Sequence, residues 1–180
     1  MIKLIFNHYW ELCLLKESPE NTTYSRSLMV LSGILFVLIM VIQWNFSYFD
    51  FSDDLLVNFL MAFSLLLSYL VYTYIVLFFR GLPERLVQTL SCLFCTQIIM
   101  HILASPLLLF SPYLAHPNLK NPLLLFIGVL YLFFSLGLSV WQFVITAHIY
   151  KYALSTSAIQ SVLAAFGLIA VNILTLSLWR

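Results

Sequence analysis

Cys92 and Cys95 stand in a C-x-x-C spacing, the arrangement a membrane thiol oxidoreductase would use. Both fall inside an apolar stretch, about 9–14 Å from its start near Leu86 by helix rise, on the side where the charge pattern below places a reducing compartment. Cys13 is alone and no second pair exists to pass electrons onward. The two thiols therefore read as small apolar residues. Four histidines invite a haem or metal reading. His101 and His148 fall toward opposite membrane faces and cannot share one haem. His8 with His148 is geometrically open, but no further ligand joins them. Asp50, Asp53 and Asp54 offer oxygen ligands for a divalent cation, yet lack the spacing of a calcium loop. Asp53-Asp54 is more simply a helix start, where carboxylates accept from free N–H groups. There is no Ser/His/Asp order, no HExxH and no phosphate loop. No catalytic residue, metal ligand or cofactor is assigned, and the expectation is a protein that is not an enzyme.

Uncharged polar residues inside the apolar stretches are the remaining source of chemistry. Gln43, Asn58, Gln97, His101 and Asn172 come from four stretches and share the outer half of the bilayer. Buried polar groups in lipid need partners, so several are expected to meet in one interhelical cluster opening outward. Such a cluster is either glue between helices or a small-molecule or lipid-headgroup site, with glue the preferred role. Gly128, Ser135, Ser139, Gln142 and Thr146 form a second pattern, a narrow stripe at 100° per residue. Ser157, Ser161, Ala164, Asn172 and Thr175 form a third. Small and hydroxyl side chains let membrane helices approach closely, so both stripes are expected to face protein.

The elements that carry these residues follow from where charge is missing. No Asp, Glu, Lys or Arg occurs within 28–46, 55–79, 86–104, 123–149 or 158–179. Each stretch is long enough to cross a bilayer as a helix, which takes roughly 20 residues. The chain is 63% hydrophobic and 8% charged, against roughly 25% charge in a soluble domain. The apolar runs are continuous, which points to helices and not to a barrel. The expected fold class is an all-α membrane protein, with an amphipathic interfacial segment and linker at 1–27 and a single five-helix bundle at 28–180. The third helix is expected to end near Ala104, before Pro106, with an interfacial segment over 105–122. A kinked helix reaching Phe110 is the alternative.

Charge also orients the chain. One set of ends carries Lys3, Lys16, Arg26, Arg80, Arg85 and Lys151, and the other only Lys120 and Arg180. Basic residues favour the cytoplasmic side, so the N-terminus is expected inside and the C-terminus outside, in a cell inner membrane. Trp44, Phe46, Tyr48, Phe49 and Phe51 suit an interfacial aromatic belt around an outer loop. Residues 2–16 read as an amphipathic helix, with Ile2, Ile5, Phe6, Tyr9 and Cys13 opposite Lys3, Asn7 and Glu11. It packs under the bundle or docks a soluble protein. A net charge of +1 and the lack of a basic run leave no role for nucleic acid. Expected partners are membrane lipid, a protein partner through residues 2–16, and further copies of the chain. The leading functional expectation is an adaptor or assembly factor. The alternatives are a transporter or channel subunit, or a protein binding a small molecule or lipid.

Several short segments stand out: Tyr9-Trp10-Glu11 and Tyr24-Ser25-Arg26-Ser27 before the first span, and Arg80-Gly81-Leu82-Pro83-Glu84-Arg85 running into Gln88-Thr89-Leu90. Ser105-Pro106-Leu107, Trp141 and Ala147-His148 complete the pattern. With these segments the chain resembles small bacterial proteins of the Yip1-like membrane family. The resemblance implies five transmembrane helices with a cytoplasmic N-terminus. The eukaryotic members are linked to traffic GTPases, but their longer soluble N-terminal region and glycine-rich signature are missing here. No functional residue is carried over.

Overall fold

In a computed structural model, which describes residues 2–46, 54–115 and 122–179, the chain is built from six α-helices, with no strand among the described residues. They are α1 (Ile2–Cys13), α2 (Arg26–Phe46), α3 (Leu55–Phe79), α4 (Leu86–Ala115), α5 (Pro122–Ala153) and α6 (Ala158–Ser177). Among these, five, α2 to α6, are long and apolar enough to cross a membrane, the character of a multi-pass membrane protein. The helices pack as a ring in the order α2, α3, α6, α5, α4, closed by α4 against α2 and braced by a contact between α3 and α4.

The least apolar span, α4, is the most buried. Its hydroxyls explain this. Thr89 donates to the Arg85 carbonyl at 2.8 Å, Ser91 to Val87 at 2.8 Å, and Thr96 to Cys92 at 2.8 Å. Each polar side chain is satisfied within its own turn, and its small size lets α2, α3 and α5 close in. By contrast the first half of α5 projects large apolar side chains outward, among them Phe126, Phe133 and Phe134.

The ends follow local rules. Asp54 caps α3, accepting from the Leu56 N–H at 2.9 Å. Gly81, at φ +71, takes the left-handed turn that ends α3, and the Leu82 N–H returns to the Leu77 carbonyl at 3.0 Å. Asp50, Asp53 and most of the aromatic belt lie outside the described residues, as do His116 and Lys120.

One boundary corrects the expectation. α4 does not stop near Ala104 but continues through Pro106 and Pro112 to Ala115, so no separate interfacial segment begins at 105. Pro106 removes the N–H that would reach the Ile102 carbonyl. Beside that break, the His101 carbonyl accepts from the Gln43 amide at 2.8 Å and from the Ser105 hydroxyl at 2.9 Å. Both bonds go to the carbonyl one residue before the freed one, and the first ties α2 to the turn that carries the break.

α1 lies against the start of α4 with Tyr9, Leu12 and Cys13 buried. Leu15, at φ 61, turns the chain out of it. The following linker is strapped to the bundle. The Trp141 indole donates to the Cys13 carbonyl at 2.8 Å, and the His148 ring to the Glu17 carbonyl at 3.1 Å. The Gln88 amide faces the carbonyls of Pro19, Glu20 and Thr22 at 2.8–3.0 Å. Arg85 holds the Tyr152 carbonyl and the Ser155 hydroxyl, each at 2.9 Å.

Candidate functional site: a polar cavity inside the bundle

The five in-span polar residues fall in three places. Gln43 and His101 pair between α2 and α4, with His101 Nδ1 2.8 Å from Gln43 Oε1 and the Gln43 amide also 3.2 Å from Ser105. Asn58 is fully buried on α3. Gln97 and Asn172 meet elsewhere, around Tyr69, in the space enclosed by α3, α4, α5 and α6.

That space is a cavity of about 250 Å³. Tyr69, from α3, forms one wall and is buried; its ring lies 5.6 Å from Phe36 and 6.0 Å from Phe94. Its hydroxyl has Gln97 and Asn172 as hydrogen-bonding neighbours. Gln142, from α5, donates to Gln97 Oε1 at 2.5 Å. Ser68 donates to Asn172 Oδ1 at 2.8 Å, which orients the Asn172 amide N–H groups away from Ser68. The Thr146 hydroxyl turns back to the Gln142 carbonyl at 2.9 Å and fixes that turn of α5. Leu168 supplies the apolar side.

Among the described residues, no charged side chain lines the cavity. Its chemistry is that of amide N–H donors from Gln97 and Asn172, the Gln142 amide oxygen as an acceptor, and a phenol. By helix rise these groups lie about 15–21 Å from the helix ends nearest α1, near the middle of a hydrocarbon core roughly 30 Å thick. Ser139 and Ile173 also line the cavity and are exposed, so its mouth opens sideways between α5 and α6. A ligand would enter from the bilayer and not from water.

The helix-packing stripe divides along α5. Thr146 is buried and Gln142 reaches Gln97, whereas Gly128 and Ser135 are half-buried and Ser139 is exposed. Ser135 and Ser139 donate to carbonyls of their own helix, at 3.0 and 2.8 Å. On α6, Ser161 and Ala164 are buried and Asn172 faces the cavity. Tyr69 escaped the sequence reading. Its signal was a tyrosine at mid-span, far from the interfacial level where membrane tyrosines collect.

The thiols gather in a different place, under α1. Cys13 and Cys92 are buried and Cys95 is half-buried; all three are free. Thr22 lies 3.2 Å from the Cys92 sulfur, and His8 lies 3.1 Å from Thr22. Burial, and then the neighbouring Cys95, push the Cys13 thiol up to about 12, so it stays protonated near neutral pH. The thiolate is the reactive form. In mild detergent near neutral pH, maleimide is therefore expected to leave Cys13 and Cys92 unlabelled until the protein is unfolded. Fast labelling of Cys13 in the folded protein would show that α1 is not docked. Among the described residues, no group of three or more His, Cys, Asp or Glu side chains is placed to hold a metal ion.

The arrangement of neutral donors around a laterally open cavity has to speak for itself, because the chain matches no family model, no curated protein and no solved structure.

Proposed function

We propose that this is a non-enzymatic membrane protein that binds an uncharged, lipid-dissolved molecule by a carbonyl or hydroxyl head group in the cavity between α3, α4, α5 and α6. The observation that carries this reading is the cavity itself: about 250 Å³, neutral, hydrogen-bonding and open to the bilayer. A bundle made only for adhesion would close such a space, since unfilled volume forfeits packing contacts. The adaptor reading has less support. Part of the apolar face of α1 on which it relied, Tyr9 and Cys13, is packed against the bundle together with Leu12, while Phe6 on that face is exposed. A charged substrate fits poorly, because among the described residues no Asp, Glu, Lys, Arg or His side chain lines the cavity to offset its desolvation.

An inner-membrane location with a cytoplasmic N-terminus belongs to the same proposal. It is supported by the six basic residues at the ends nearest α1 against two at the other ends. A Yip1-like affiliation rests on the segment resemblances alone.

The test uses the purified full chain in mild detergent with three probes: decyl-ubiquinone, farnesol and palmitate. A ligand that binds only the folded state at a hundredfold excess over its Kd stabilises by about 2.7 kcal/mol. Decyl-ubiquinone or farnesol is expected to raise the melting temperature, and palmitate is not. Ile173→Trp narrows the mouth from an exposed position and is expected to abolish the shift. Gln97→Leu removes a donor and is expected to weaken it about tenfold, the worth of a hydrogen bond to an otherwise unpaired polar group. No shift with either neutral probe, or an undiminished shift in Ile173→Trp, would overturn the proposal.

A further inference from the structure

A second hollow lies on the other side of the wall formed by Phe36, Tyr69 and Phe94. It is a groove of about 340 Å³ between α2 and α3, open to the outside of the bundle. Its walls are the i, i+4 faces of two antiparallel helices: Val30, Ile34 and Leu38 on α2, and Phe59, Phe63 and Leu66 on α3. Every described residue that lines it is apolar. Gly33 sets its depth. A Cβ there would stand 3.2 Å from Leu66 Cδ1 and 3.6 Å from the Phe94 ring, so a side chain at this position would fill the floor.

We propose that this groove holds one acyl chain of an anionic phospholipid, whose phosphate meets Arg26. Three observations select that occupant. The first is size. From Met29 to Leu38 the groove runs about 14 Å by helix rise, so its mean section is about 25 Å². That suits one hydrocarbon chain and is far below the roughly 80 Å² of a helix about 10 Å across. The second is depth. Arg26 to Leu38 spans about 18 Å, close to one leaflet of a core roughly 30 Å thick. The third is charge. Arg26 begins α2 on the same face as Val30, Gly33 and Val37, at the head of the groove. It is exposed, and makes no hydrogen bond or ion pair among the described residues. Its guanidinium is therefore free to take a phosphate, a geometry that arginine suits. A hydrocarbon chain alone would account for the groove but would leave Arg26 without a role.

The site is independent of the polar cavity, and so is its test. The delipidated protein is titrated with palmitoyl-oleoyl phosphatidylglycerol or phosphatidylcholine, and retained lipid is read by native mass spectrometry. The wild-type chain is expected to keep one phosphatidylglycerol molecule, in preference to phosphatidylcholine by about tenfold, as a charge-assisted contact gives. Ile34→Trp, a substitution at the exposed rim, places a ring in the groove and is expected to weaken both lipids about tenfold or more, since most buried methylenes are displaced. Val30→Trp serves the same purpose if Ile34→Trp does not fold. Arg26→Gln is expected to erase the preference by weakening phosphatidylglycerol more than phosphatidylcholine, whose choline cation already offsets its own phosphate. Equal retention in the groove-filling variant, or a preference that survives Arg26→Gln, would overturn the proposal.

Discussion

Phe94→Ala is expected to lower the unfolding free energy by about 3–5 kcal/mol, the range for deleting a buried aromatic side chain. Phe94 is 2% exposed, and its ring lies 5.7 Å from Phe36 and 6.0 Å from Tyr69. It lines the groove on one side and packs on the other against Tyr69, which lines the polar cavity, so neighbours have little material with which to collapse into the gap. The loss would be read from denaturant unfolding in mixed micelles. Phe94→Leu, which keeps most of the volume, is expected to cost less than half as much. If the alanine variant lost under about 1 kcal/mol, the wall would not be the packed element described above.

The second large effect is expected at Gly167. A Cβ there would fall on the Tyr72 hydroxyl, which donates to the Ala164 carbonyl at 2.7 Å. α3 and α6 meet through this contact, and only a residue without a side chain leaves the phenol its place. Gly167→Val must push Tyr72 aside, costing about 1–3 kcal/mol for overpacking, with a further ~1 kcal/mol for the lost hydrogen bond. Combining Gly167→Val with Tyr72→Phe separates the two terms. The double variant should lose less than the sum of the single losses, because the clash and the bond involve the same hydroxyl. Strict additivity would mean that Tyr72 does not pack over Gly167.

Much of the architecture could be read from the chain because lipid punishes charge. The α3 limits of Leu55 and Phe79 coincide with a stretch free of Asp, Glu, Lys and Arg, and the Asp54 cap was legible as a carboxylate before an apolar run. The end of α4 was not. Proline ends most helices because it removes an N–H and its ring crowds the preceding turn, but here the turn before the break is held from outside by Gln43, 58 residues away. No local rule contains that residue.

The site was legible to a similar depth. Polar groups inside spans announced that partners were needed, and Gln97 and Asn172 do share a neighbour. Which partner each would find depends on the order of helices around the ring. Periodicity orients a face but does not say what the face meets. Gln142, placed on a packing stripe by its spacing, ends as the partner of Gln97, and His101 turns to Gln43 instead.

The unequal helix lengths reach beyond binding. α2 and α6, with 21 and 20 residues, are about 30 Å long, while α4 and α5, with 30 and 32, are about 45 and 48 Å. Two of the members therefore match a common bilayer and two overshoot it by half again. The overshoot is apolar in α5, so water offers it no refuge. The longer pair must lean, or the surrounding lipid must thicken on one flank, at a cost of fractions of a kcal/mol per Å. The protein is thus built lopsided with respect to its solvent. Its energy should depend on acyl-chain length, and in a membrane of uneven thickness it should collect where the sheet is deepest.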